Sequence, residues 1–221
     1  MDRGDIDVLI EDASEQLTVV REMYDETLRA QKVPRKLMAR IKNVVENQRS
    51  VLEYLAHAIY EQEGDGSGKK AFYPITTRPS EFRLRFERCL PGVAAHCPAV
   101  RDAIEARQAY QIGNEWLKHL ALLTNENKHR RLTPQMRSET KKTRFESGGA
   151  AIELGEGASI RLSGGADVVL GGKSIRKIEP QEIVYVDWLF EDPPLSVLRT
   201  LQQIQNSLPS LIDDVSAVLP Q

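Results

Sequence analysis

The chain has 221 residues, 41% of them apolar and 28% charged, with a formal net charge of -2. That is enough chain for one large domain or two small ones with ample core, and the balanced charge gives no global reason to expect a polyanionic partner. The N-terminal Met1-Asp-Arg-Gly-Asp-Ile-Asp7 lacks the apolar core of a signal peptide, no apolar run approaches the roughly 18 residues of a membrane span, and two cysteines make no disulfide framework. A cytoplasmic protein without a membrane partner is expected.

From Asp5 to Gln31 apolar residues including Ile6, Leu9, Ile10, Leu17, Val20 and Leu28 recur at helical spacing. Pro34 opens a second helix, whose stripe gathers Leu37, Met38, Ile41, Val44, Val45, Leu52, Leu55 and Ile59. It ends near Glu63, before the turn-rich Gly64-Asp-Gly-Ser-Gly68. About 29 residues at 1.5 Å each give a rod of roughly 43 Å, the spine of a bundle. Residues 69–97 open with Phe72-Tyr-Pro-Ile75 and Pro79, an extended connector. Phe82, Leu84 and Phe86 alternate like a strand, yet Phe82, Phe86 and Leu90 fit a short helix, the reading adopted.

From Pro98 to about Leu132 the pattern is helical, with a break near Gly113. Trp116, Leu120 and Leu123 form one stripe while Leu117, Ala121 and Leu122 spread around the cylinder, which implies a central, buried helix. Eight of the 14 glycines then lie between Gly148 and Gly172, marking a change of architecture. Ile152-Glu-Leu154, Ile160-Arg-Leu162 and Val168-Val-Leu170 recur every eight residues, each before glycine. Short strands joined by glycine turns make a β-meander. Glu182–Phe190 reads as a stronger strand. After Asp192-Pro-Pro194, a last helix carries the seam Leu198, Leu201, Ile204, Leu208, Leu211, Val215 and Val218, with a kink or break at Pro209.

The fold class expected is therefore α+β. A bundle of long antiparallel helices spans 1–132, an antiparallel β-meander spans about 140–190, and a C-terminal helix over 194–221 returns to pack on the bundle.

Several segments, Arg49-Ser-Val-Leu-Glu-Tyr-Leu-Ala56, Tyr73-Pro-Ile75, Leu90-Pro-Gly92, Gln108-Ala-Tyr110 and Leu123-Thr-Asn-Glu-Asn-Lys-His-Arg130, give the chain a look that resembles an uncharacterised family of bacterial proteins. The resemblance implies the architecture and transfers no catalytic residue. The bundle is also similar, more weakly, to the HEPN group of helical proteins, many of which cut RNA. Their hallmark arginine, four to six residues before a histidine, is missing ahead of His57, His96, His119 and His129.

Four constellations have a functional and a structural reading. In the block after Leu123, Asn127 continues the stripe of Trp116, Leu120 and Leu123 toward the core, and His129 lies nearly opposite. Asn125, Asn127, Lys128, His129, Arg130 and Arg131 form either a polar pocket with an acid/base histidine and anion-binding arginines, or a helix end whose cations favour the negative dipole. Arg49, Glu53 and His57 stand four apart, with Tyr60 nearby, as a proton-transfer face or an exposed ladder of i,i+4 pairs. Cys89, His96 and Cys97 suit zinc but have no fourth ligand, so neither metal nor cofactor is expected. Lys128 to Arg144 carries seven Lys or Arg against Glu139 alone. It grips phosphates or, with no interleaved aromatics, serves as a solvated basic linker.

The function expected is a non-catalytic module that self-associates, as a homo-oligomer, or binds a protein partner. The alternative is an HEPN-like protein that binds or cuts RNA, with His129 as acid/base and Arg130 or Arg49 on the phosphate.

Overall fold

Helix α1 (Gly4–Thr27) forms because its apolar residues fall on one side, where Ile6, Ala13, Leu17, Val20 and Tyr24 are buried. Asp5 and Asp7 in its first turn complement the positive end of the helix dipole. The computed structural model describes residues 3–27, 33–129, 134–156, 158–163 and 166–220, apart from the side chains of 126–129. The expected C-terminal end of the first helix, with Leu28 and Gln31, lies outside the described residues.

Helix α2 (Arg35–Glu63) starts directly after the extended Pro34 and stops where Gly64 turns away, its N–H still bonded to the Tyr60 carbonyl at 2.8 Å. At 29 residues it is the expected spine. Asn47 of α2 donates to Asp12 of α1, and Ile6 shares a groove with Tyr54, so the two helices run antiparallel. Helix α3 (Pro79–Cys89) buries Phe82 and Phe86 and leaves Leu84 59% exposed, the signature of a helix and not a strand. Helices α4 (Val93–His96) and α5 (Pro98–Ala106) follow, and a turn region carrying Gly113 separates them from α6 (Trp116–His129). Trp116, Leu117, Leu120 and Leu123 of α6 are buried, but Leu122 is 42% exposed. One side of α6 therefore faces solvent, contrary to the expectation of apolar contact all round.

Of the kink or break expected at Pro209, helix α7 (Val197–Ser216) excludes the break, because it runs through the proline as one helix. Proline removes one backbone donor, whereas Leu208, Leu211, Ile212 and Val215 on either side of it are fully buried. Packing holds the turns that the hydrogen bond would have held. α7 contacts α1, α2, α5 and α6, and a single apolar cluster runs from Ile6 through to Leu219. Polar groups cross this core in pairs. Gln48 donates to the Leu201 carbonyl at 2.9 Å and to Gln205 at 3.1 Å, and Gln205 donates to the Ile10 carbonyl at 2.9 Å.

The sheet has the order β2-β1-β5, all antiparallel, from β1 (Gln135–Ser147), β2 (Ala150–Leu154) and β5 (Gln181–Phe190). Gly148 and Gly149, at φ 55° and 79°, supply the two left-handed residues of a tight hairpin between β1 and β2. β1 pairs with β5 from Gln135↔Phe190 to Arg144↔Gln181. The basic stretch read as a linker is thus, from residue 135, the central strand. Its charges are answered across the sheet, Lys141 by Glu182 at 3.3 Å and Lys142 and Arg144 by Glu153 at 3.2 and 3.4 Å. Of the three repeated triplets, only Ile152–Leu154 joins this sheet. β3 (Val169–Leu170) pairs with β4 (Lys173–Ser174) in a separate ribbon, and residues 160–162 form no strand.

Trp188 and Phe190 fix the near end of the sheet in the helical core. Tyr24 adds a polar tie: its hydroxyl donates to the Asp187 carboxylate and accepts the Trp188 N–H at 2.7 Å. Burial first, then Asp187, drives the Tyr24 phenol well above its usual range. No helix among the described residues is long and apolar enough to cross a membrane.

Candidate functional site: the groove between α1 and α2

The groove begins with the extended segment after Gly68, which lies along α2 because α2 holds its backbone. Glu53 accepts the Tyr73 N–H at 2.9 Å, and Arg49 donates to the Tyr73 carbonyl at 3.2 Å. Arg49 and Glu53 are also ion-paired with each other, one helical turn apart. From the other side Gln108 makes four hydrogen bonds, accepting from the Thr76 N–H and hydroxyl and donating to the carbonyls of Pro74 and Ile104. Tyr73 itself is fully buried, and that burial raises its phenol far above the ordinary value. A strand-like strap with no sheet partner is thereby satisfied by side chains.

Beside this strap opens a cavity of about 750 Å³, walled by Asp5 and Ile6 of α1, by residues of α2 from Glu53 to Gln62, and by Ala71 and Phe72. Tyr54 and Phe72 flank it and are 49% and 48% exposed. His57 stands in the wall with its Nδ1 3.3 Å from a Glu61 carboxylate oxygen. A smaller cavity of about 300 Å³ shares His57 and Glu61 and continues to Gly64, Gly66, Gly68 and Lys69. Its glycine loop is shaped by Asp65, which accepts the Ser67 N–H at 3.0 Å and the Tyr60 hydroxyl at 2.7 Å. Those bonds, the Ser67 amide foremost, lower the Asp65 carboxyl to about 2.

Of the residues singled out in the sequence, Tyr60 lines the smaller cavity, and Glu53 and His57 line the groove. Arg49 lies behind it, committed to Glu53 and the Tyr73 carbonyl, so it is neither a rung of an exposed ladder nor free to hold a phosphate. Asn125 is exposed on α6, away from the groove walls. The side chains of Asn127, Lys128 and His129, and Arg130 and Arg131 entirely, lie outside the described residues. Asp5, Tyr54, Glu61 and Phe72 were not anticipated. The signal available for Tyr54 was its place off the apolar stripe of α2, where a large aromatic has no core to enter.

Cys89 and Cys97 are free, buried thiols, and burial raises the Cys89 pKa. His96 Nδ1 is 2.9 Å from the Glu63 carbonyl, and Cys97 Sγ is 3.7 Å from the Val218 carbonyl. Among the described residues no group of three or more His, Cys, Asp or Glu is placed to hold a metal.

The class that fold and groove define is an α+β protein with a helical core, a small antiparallel sheet and an open trough along α2, the longest helix among the described residues. No protein-family model, curated protein or solved structure matches the chain.

Proposed function

We propose that the protein is a non-catalytic binding module that docks a partner protein in the α1–α2 groove. The observation that carries this reading is a pair of half-exposed aromatic side chains, Tyr54 and Phe72, both lining an open trough. Aromatic side chains left in water beside a concave surface are the usual anchors of recognition. The apolar seams of α2 and α7, which suggested self-association in the sequence, are consumed inside the chain's own core. A partner protein therefore suits the groove better than a helix-to-helix homo-oligomer does. The same reading sets the chain in a bacterial cytoplasm, in keeping with the family resemblance.

Catalysis draws less support. Arg49 is occupied by Glu53 and Tyr73, and Asn125 stands apart from the His57 wall. RNA binding draws less still, because the groove presents Asp5, Glu53 and Glu61 to any phosphate.

Two measurements test the reading. The pure chain and its His129→Ala variant are incubated with mixed RNA, and neither is expected to cleave it. Cleavage by the parent that the variant loses would replace this reading with the ribonuclease one. Cross-linked complexes are then compared between the parent and Ala58→Trp, which fills the groove from a partly exposed wall position. A partner protein held by the parent and lost by a stably folded Ala58→Trp is expected; identical complexes from both count against it.

A further inference from the structure

The groove walls specify the chemistry of what they bind. Apart from His57, every charged side chain that lines the main cavity among the described residues is a carboxylate: Asp5, Glu53 and Glu61. Glu53 is neutralised by Arg49 and the Tyr73 amide. Glu61 meets His57, and the Asp5 carboxylate has no hydrogen-bond or ion-pair partner among the described residues. An anionic ligand would be repelled by the carboxylates of Asp5 and Glu61. A purely apolar ligand would strip water from them and return nothing.

A basic side chain resolves both problems. Its head pairs with Asp5 or Glu61 and sits against the faces of Tyr54 and Phe72, where a cation is attracted by the ring quadrupole. Its aliphatic stem lies on Ile6, Ala58 and Ala71, as long basic side chains do on apolar surface. The trough also has the dimensions of a chain segment. From Glu53 to Gln62 is nine helical steps, about 13.5 Å, the length of roughly four residues of extended peptide at about 3.3 Å each.

We propose that the groove takes a short extended segment of a partner protein, carrying a lysine or arginine flanked by apolar residues. This rests on the binding-module reading above and adds the chemistry of the segment to it.

The probe is a phage-displayed random heptapeptide library, selected on the full chain and counter-selected on Ala58→Trp. Groove-dependent clones are expected to carry Lys or Arg next to an apolar residue. For the strongest clone, made as a synthetic peptide, affinity measured by fluorescence anisotropy falls about tenfold in the Asp5→Asn/Glu61→Gln double variant, as loss of interfacial charge partners implies. It also weakens with added salt, because the charges lie near solvent. Phe72→Ala lowers affinity without altering the salt dependence. Groove-dependent clones lacking Lys and Arg would overturn the cation assignment and leave the binding module standing. Basic clones indifferent to the double variant would place the cation elsewhere and overturn the assignment too. No groove-dependent clones at all would overturn both.

Discussion

The helical body and the sheet of this protein are held by different forces. In the body, α2 and α7 bury Leu52, Leu55, Ile59, Leu201, Ile204 and Leu208 completely. In the sheet, neither β1 nor β2 has a single fully buried residue, and only Trp188 and Phe190 of β5 reach the core. Past that anchor the strands are joined by their ladder, by Lys141, Lys142 and Arg144 facing carboxylates, and by Tyr185, which donates to Glu153 at 2.9 Å. Exposed ion pairs contribute little each. The body therefore carries the stability of the fold, and the sheet is the part free to open locally.

The sharpest way to break this contrast is to remove side chains from each region. Leu55→Ala leaves a cavity at a site with no solvent access and is expected to cost about 3–4 kcal/mol in urea denaturation. Ile152→Ala, at a half-buried position of β2, is expected to cost under about 1.5 kcal/mol. Equal losses would mean that the sheet shares the main core.

Gln108→Ala tests the strap beside the groove. It leaves the Thr76 N–H and the Pro74 carbonyl buried without their partner, a loss of about 2–3 kcal/mol in denaturation. It should also raise amide exchange over residues 71–76 more than in α7. Gly171→Ala acts in the glycine-rich region alone. At φ 52° any side chain is strained, and a Cβ there meets the Ser147 carbonyl. A cost of about 1–2 kcal/mol should show as faster hydrogen exchange around 147–150 and 170–174, with the helices unchanged.

The smallest effect belongs to Asp65. Its folded carboxyl lies at about 2, against about 3.9 for an unfolded aspartate. A depressed folded value contributes stability that is present above the unfolded value and lost as pH falls through the folded one. Asp65→Asn should therefore flatten the decline of thermal stability between about pH 4 and pH 2. A decline of the same steepness in the variant would assign acid sensitivity to other carboxylates.

The legibility of each region follows the range of its interactions. α2 could be read almost to the residue, since its stripe, Pro34 and Gly64 are all local signals. β5 was equally plain from its run of β-branched and aromatic residues. β1 was not, because Lys141, Lys142 and Arg144 look like a linker until Glu182 and Glu153 are brought beside them. The eight-residue repeat misled for the converse reason: the pattern of Ile160 and Leu162 is local, but no neighbouring strand pairs with them. In the groove, the spacing of Arg49, Glu53 and His57 was visible. That Arg49 and Glu53 turn toward Tyr73, while His57 turns to Glu61, was not.

Periodicity and end signals, which act within a few turns of chain, were enough to locate the long helices, the last strand and most of their buried stripes. Long-range packing settled the rest: Pro209 stays helical, a basic stretch becomes the middle of a sheet, and residues 5, 54, 61 and 72 share one trough. Each of these depends on contacts between segments far apart along the chain. No local pattern encodes which distant group will be there to bury a ring or answer a charge.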